Sequence, residues 1–188
     1  MAGYEVKGFH FRGILAALES EGLTAEVRDR LAPGEAAFME RPPLPGAWVE
    51  GRVMDAISEA VLALRGPQVL RRVHKLAVNR GAMTVLRPVV ESVMRVLGVS
   101  PGTLLAQLNT LQGAAARGIE HRFEARGPAE GVLATSVVGN VPDSFFEGTA
   151  GSMEALCTLC GVTPLISAPE VTRTADRTTG RLQLSWRR

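Results

Sequence analysis

The chain has 188 residues, 46% of them apolar, with 21 basic and 19 acidic residues and a formal net charge of +2. That length and apolar share fit one folded domain with one sizeable core, and near-balanced charge carried by scattered arginines argues against the basic stripe of a nucleic-acid binder. No apolar run approaches the roughly 20 residues that cross a bilayer, and no basic start with an apolar stretch marks a leader, so a cytoplasmic protein without membrane insertion is expected.

Residues 4–11 read as a short strand, followed by a helix at 12–21 with Ile14, Leu15 and Leu18 inward and Gly22 as its stop. Thr24 caps a second short helix through 31. Residues 32–46 carry four prolines and read as an irregular connection. It is a surface loop or, in the functional alternative, a flap that lays Phe38, Leu44 and Trp48 over a cavity. Val49, Val53, Ile57, Val61 and Leu64 then recur at helical spacing over 48–65, and Gly66-Pro67 separates this helix from one at 67–80. In the latter, Leu70, Val73, Ala77 and Val78 form the apolar stripe, leaving Arg71, Arg72, Lys75 and Asn79 for solvent. A helix at 85–97 uses Val89, Val93, Met94 and Leu97, with Pro88 in its first turn. Ser100-Pro101 opens a helix with Leu104, Leu105, Leu108 and Leu111 inward.

From residue 118 the apolar period changes to two. Ile119, His121, Phe123 and Ala125 take one face of a strand and Glu120, Arg122, Glu124 and Arg126 the other. A turn at 127–131 returns the chain as a partner strand, a helix spans about 144–160, and two strands near 165–173 and 181–187 close the sequence. The fold class is therefore α+β: a single domain over 1–188, helix-rich over 12–112, packed on a mostly antiparallel sheet with a β–β–α–β–β unit at 118–188. The N-terminal strand is placed to extend that sheet's edge.

Cys157 and Cys160 form a CxxC. On the helix they continue the stripe of Phe146, Ala150 and Met153, which faces the sheet. They sit at the helix C-terminus, where the dipole opposes a thiolate. A structural zinc needs about four ligands, and His10, His74 and His121 are far apart in sequence. The cysteines read as core packing, in a reducing compartment. His74 lies between Leu70 and Val78 at the margin of an apolar stripe, as an edge histidine or as a haem or metal ligand reaching into a cavity. His121, on the apolar side of its strand, leaves the same choice. No phosphate loop, dinucleotide fingerprint or nucleophile elbow is present, and no carboxylates pair for acid–base work, so a non-catalytic role is expected and enzyme activity is left open.

The opening "VKGFHFRGILAALESEG", the Trp48 segment, "SFFEGTAGSMEALCTLCGV" and the closing "GRLQLSW" resemble a myxobacterial protein family of unknown function and about this length, with Gly8, Gly148, Gly161 and Trp186 as the shared residues. More remotely, the layout is similar to 4-vinyl reductase-type and haem-nitric-oxide-type ligand-binding domains. That resemblance implies an apolar cavity between helices and sheet that holds a small molecule, haem or acyl chain. The haem sensors' Tyr-x-Ser-x-Arg signature has no counterpart, because Tyr4 is the only tyrosine. The cysteines that 4-vinyl reductase-type domains often carry around the last hairpin are missing as well. Haem, through His74, is thus an available but disfavoured cofactor, and no metal is assigned.

The expected function is a regulatory or sensory module that binds a small apolar ligand, with Trp48, Met54, His74, Val78, Phe145, Phe146, Met153 and Cys157 around the pocket. The alternative is a protein-interaction or homodimerisation module without ligand, using the arginine-bearing helix 67–80 or the charged strand face.

Overall fold

The computed structural model describes residues 3–97 and 99–187, with the side chains of Ala82, Thr84–Leu86, Val89, Val93, Met94 and Leu97 left out. The stripe expected from Val89, Val93, Met94 and Leu97 therefore lies outside the described residues. In chain order the elements are β1 (Glu5–Lys7), α1 (Gly8–Ser20), α2 (Thr24–Arg28), α3 (Pro33–Glu40), β2 (Trp48–Glu50), α4 (Gly51–Ala77), α5 (Met83–Leu97), α6 (Pro101–Ala106), α7 (Leu108–Gln112), β3 (Ala116–Arg117), β4 (Ile119–Gly127), β5 (Glu130–Val138), α8 (Asp143–Leu159), β6 (Thr163–Ile166), β7 (Glu170–Arg173) and β8 (Arg177–Arg187). The α+β class and the antiparallel β–β–α–β–β arrangement hold.

The larger sheet runs β4-β5-β8-β6, all antiparallel, with β7 also on β8. β6 and β7 lie end to end along one side of β8, pairing with residues 184–187 and 178–181 respectively, so the single strand expected at 165–173 is two. Leu133, Leu182 and Leu184 alternate inward as the period predicts, and meet Ala150 and Met153 of α8. Phe146 lies over Gly180, where a Cβ would overlap its ring. On its other side α8 packs against α4. There Gly148 and Gly151 bring the backbones so close that a methyl at Gly151 would overlap the Arg71 carbonyl.

Several local expectations change. The N-terminal strand does not extend the large sheet. It is cut to three residues, and β1 pairs with β2 and β3 in a separate sheet ordered β2-β1-β3. Residues 8–11 are already helical, and the helix buries Phe9 against Ala115 on one side while Phe11 and Ile14 enter the main core on the other. Residues 32–46 are not wholly irregular: Pro33 takes the first position of α3 and Glu35 Oε2 accepts from the Ala32 N–H at 3.2 Å. The Gly66-Pro67 break is real, with Gly66 at φ 76°, but the two halves of α4 continue past it. A π-helical turn, Val78–Ala82, then leads directly into α5, so Pro88 falls beyond that helix's first turn. The Ser100 cap is as expected, with Oγ accepting from the Thr103 N–H at 3.1 Å.

Arg71 is the largest correction. It is buried rather than solvent-facing: Nε donates to Glu147 Oε2 at 2.7 Å, while Nη1 and Nη2 donate to the carbonyls of Ile166 and Ser167 at 3.0 and 2.9 Å. One guanidinium thus ties α4 to α8 and β6. The arginine-bearing face of 67–80 is in part an internal joint, which removes Arg71 from any partner-binding surface there.

Candidate functional site

A cavity of about 150 Å³ lies where α1, α4, the π-helical turn, α5, α7, the β3–β4 passage and α8 converge. Its apolar lining includes Val6, Met54, Val78, Met83, Val90, Leu108, Leu111, Ile119, Phe145, Met153 and Leu156. Into this shell project Tyr4, His10, Asp55, Ser58, His74, Gln112 and His121. All three histidines of the chain therefore share one chamber.

Most of these polar groups are paired. The Tyr4 hydroxyl lies 2.6 Å from Asp55 Oδ1 and 3.1 Å from the Gly51 carbonyl. Burial pushes the Asp55 carboxyl up to about 7, Tyr4's hydrogen bond working against the shift and Glu59 adding to it. Burial and the neighbouring carboxyl together raise the Tyr4 phenol well above its ordinary range. His74 Nε2 is 3.1 Å from Ser58 Oγ, and a Cβ at Gly148 would come within 2.5 Å of its ring. His121 is held at both nitrogens: Gln112 Oε1 accepts from Nε2 at 2.7 Å, leaving Nδ1 to accept from the Thr135 hydroxyl at 3.0 Å. Asn109 fixes the same residue's backbone, its amide donating to the His121 carbonyl and its oxygen accepting from the His121 N–H, both at 2.7 Å.

His10 differs. Its ring lies 4.4 Å from that of Phe9, and its Nε2 is buried with no hydrogen-bond partner among the described residues. Burial lowers all three imidazoles to about 4, so each is neutral at neutral pH.

Of the residues marked out in the sequence, Met54, His74, Val78, Phe145 and Met153 come together on this cavity. Trp48 does not line it; it sits on β2 beneath Lys7 Nζ and the Arg117 guanidinium, each 3.9 Å from its ring. Phe146 faces Gly180 of the sheet. Cys157 is fully buried in the packed side of α8, where burial pushes its thiol up to about 12, and Cys160 is raised too. Sequence reasoning assigned no role here to Tyr4, His10, Asp55, Ser58 or Gln112. Asp55 and Ser58 carried a usable signal, as polar residues breaking the apolar run between Val53 and Val61 on a buried helix.

A haem on His74 does not fit this arrangement. The imidazole is engaged by Ser58 and wedged against Gly148. The cavity is well below the roughly 300–1,000 Å³ that holds drug-sized ligands. Among the described residues, no lysine or arginine lines it to meet the two haem carboxylates. Among the described residues, no group of three or more His, Cys, Asp or Glu side chains is placed to hold a metal ion, and no helix is long and apolar enough to cross a membrane.

No protein-family model matches the sequence, and no curated protein matches it. Solved structures do match in fold. An oxygen-binding H-NOX (heme-nitric oxide/oxygen binding) domain related to soluble guanylate cyclases, in its oxygen complex, superposes with a TM-score of 0.64 at 10% identity, covering 97% of this chain and 95% of that one. An Fe(II) unliganded H-NOX protein from K. algicida gives 0.67 at 8% identity, covering 97% of each chain. A third structure, from work on modulating heme redox potential through porphyrin distortion, gives 0.60 at 11%, covering 95% of this chain and 99% of that one. At these identities the likeness is one of architecture, and by that measure the chain has the H-NOX fold.

Proposed function

We propose that this chain is a sensory module in which a small, largely apolar molecule occupies the cavity directly, without a haem. The cavity itself carries the reading. Protein interiors are packed with few voids larger than a water, and α8 packs against α4 closely enough to require glycine at two positions. A space of about 150 Å³ persists in the same molecule. A concave pocket walled by apolar side chains and a few polar ones is the ordinary form of a ligand site. The shared fold supports the same class of role, since one of the similar proteins is an oxygen-binding domain related to soluble guanylate cyclases.

Thermal melts with toluene and indole test the reading. Either compound should raise the melting temperature of the wild type in proportion to its concentration. Val78→Phe, which fills the chamber from its wall, should abolish the response while leaving the fold intact by circular dichroism. Melting temperatures that ignore both compounds, with Val78→Phe simply more stable, would mark the space as a packing defect.

A further inference from the structure

Of the polar side chains that line the cavity, Thr149 and Ser152 donate to the carbonyls of Phe145 and Gly148 within their own helix, and others pair with one another. Tyr4 is engaged with Asp55, Ser58 with His74, and Gln112 with His121. His10 Nε2 is buried and has no partner among the described residues. An unpaired polar atom in an interior destabilises the fold, and here it lies on the wall of a space able to hold a molecule that would pair with it. Size narrows that molecule: about 150 Å³ is the volume of an engineered cavity in another protein that takes up benzene, one six-membered ring. Charge narrows it further. Among the described residues no lysine or arginine lines the chamber, so an anion finds no counter-charge there. Asp55 shares its carboxyl with Tyr4 in a buried setting, where an isolated cation also pays for lost hydration.

Resting on the ligand-binding reading above, we propose that the cavity takes a small uncharged monocyclic molecule bearing one hydroxyl or similar hydrogen-bonding group, and that His10 Nε2 is the atom that reads that group. The apolar lining binds the ring and His10 sets the preference among rings of equal size. His10 is thus a specificity-determining residue, distinct from His74, whose Nε2 is engaged by Ser58, and from His121, whose two nitrogens are held by Thr135 and Gln112.

Phenol and toluene form the test pair, differing by a hydroxyl in place of a methyl, and benzoate and benzylamine are the charged controls. By calorimetry, wild type should bind phenol at least as tightly as toluene and bind both charged rings more weakly. A wholly apolar cavity would favour toluene. In His10→Phe the phenol-to-toluene affinity ratio should fall about tenfold, the worth of one buried hydrogen bond, while toluene affinity changes little. An independent readout needs no folded variant: in imidazole ¹⁵N spectra of the wild type, phenol but not toluene should shift one Nε2 resonance. An unchanged ratio in His10→Phe, or a ¹⁵N spectrum indifferent to phenol, overturns the assignment of His10 while the cavity reading stands. Tighter binding of benzoate or benzylamine overturns the uncharged class. Failure of every ring to bind overturns both readings.

Discussion

Helix α8 faces two contrasting regions. Against α4 it is packed to the limit: glycines at 148 and 151 admit neighbouring atoms where a methyl would not fit, and the Arg71–Glu147 pair closes the joint with every guanidinium nitrogen bonded. A short distance along the same helix, Phe145 and Met153 help to wall a chamber that is under-filled and contains an unpaired nitrogen. One side of the helix is closely packed and fully bonded, while the other borders open space and an unpaired nitrogen. An open pocket confined to one place inside a well-packed domain is what the proposed binding site requires.

The contrast can be broken first on the packed side. Arg71→Ala should leave Glu147 buried without its partner and two carbonyls without donors, at a loss of about 3–5 kcal/mol. That approaches the whole stability of a small domain, and urea denaturation would show it as a large drop in midpoint. Replacing both partners together, as Arg71→Met with Glu147→Leu, should lose markedly less. Gly151→Ala comes next. Overlap with the Arg71 backbone should cost up to about 3 kcal/mol, offset by about 1 kcal/mol of helix propensity, so a net loss of about 2 kcal/mol is expected in the same measurement. A neutral Gly151→Ala would mean that the helices separate without penalty, and the contrast would fail.

The smallest effect tests the cavity through pH. Between about pH 4 and 6.5 the three buried histidines are neutral in the folded chain but protonated when unfolded, so each makes stability rise with pH. Asp55 has the opposite sign: its folded value of about 7 lies above the ordinary 3.8, so in that window the fold holds a proton that the unfolded chain has released. These four groups leave a net gain of stability with rising pH worth two protons. Asp55→Asn removes the opposing proton, and should steepen the slope of unfolding free energy by about 1.4 kcal/mol per pH unit. An unchanged slope would place Asp55 in contact with water, not in the chamber wall.

Much of this layout was legible in the residues. The period-two strands, the Ser100 cap, the Gly66 break and the inward stripe of Phe146, Ala150, Met153 and Cys157 all follow from local rules. The misses have a common physical source. Arg71 sits on a polar-looking face, and only the arrival of Glu147 and the Ile166–Ser167 backbone from distant parts of the chain makes its burial affordable. Tyr4, His10, Asp55 and Gln112 are likewise unremarkable in their own segments and become a site only when the two sheets and five helices meet. In the cysteine pair, Cys157 is buried on the packed side of α8, as its place in the stripe implies, while Cys160 is a partly buried residue at the helix C-terminus.

Asn109 has a consequence beyond holding His121 in place. By accepting from the His121 N–H and donating to its carbonyl, one side chain occupies the positions that a neighbouring strand would take on the outer side of β4. The exposed remainder of that rim carries Glu124 and Arg126 in an ion pair. A strand arriving from another molecule therefore finds its first bonding position taken and the next ones charged, a common defence against unwanted strand-to-strand assembly. The residue that orders the chamber wall also keeps that rim of the sheet from growing.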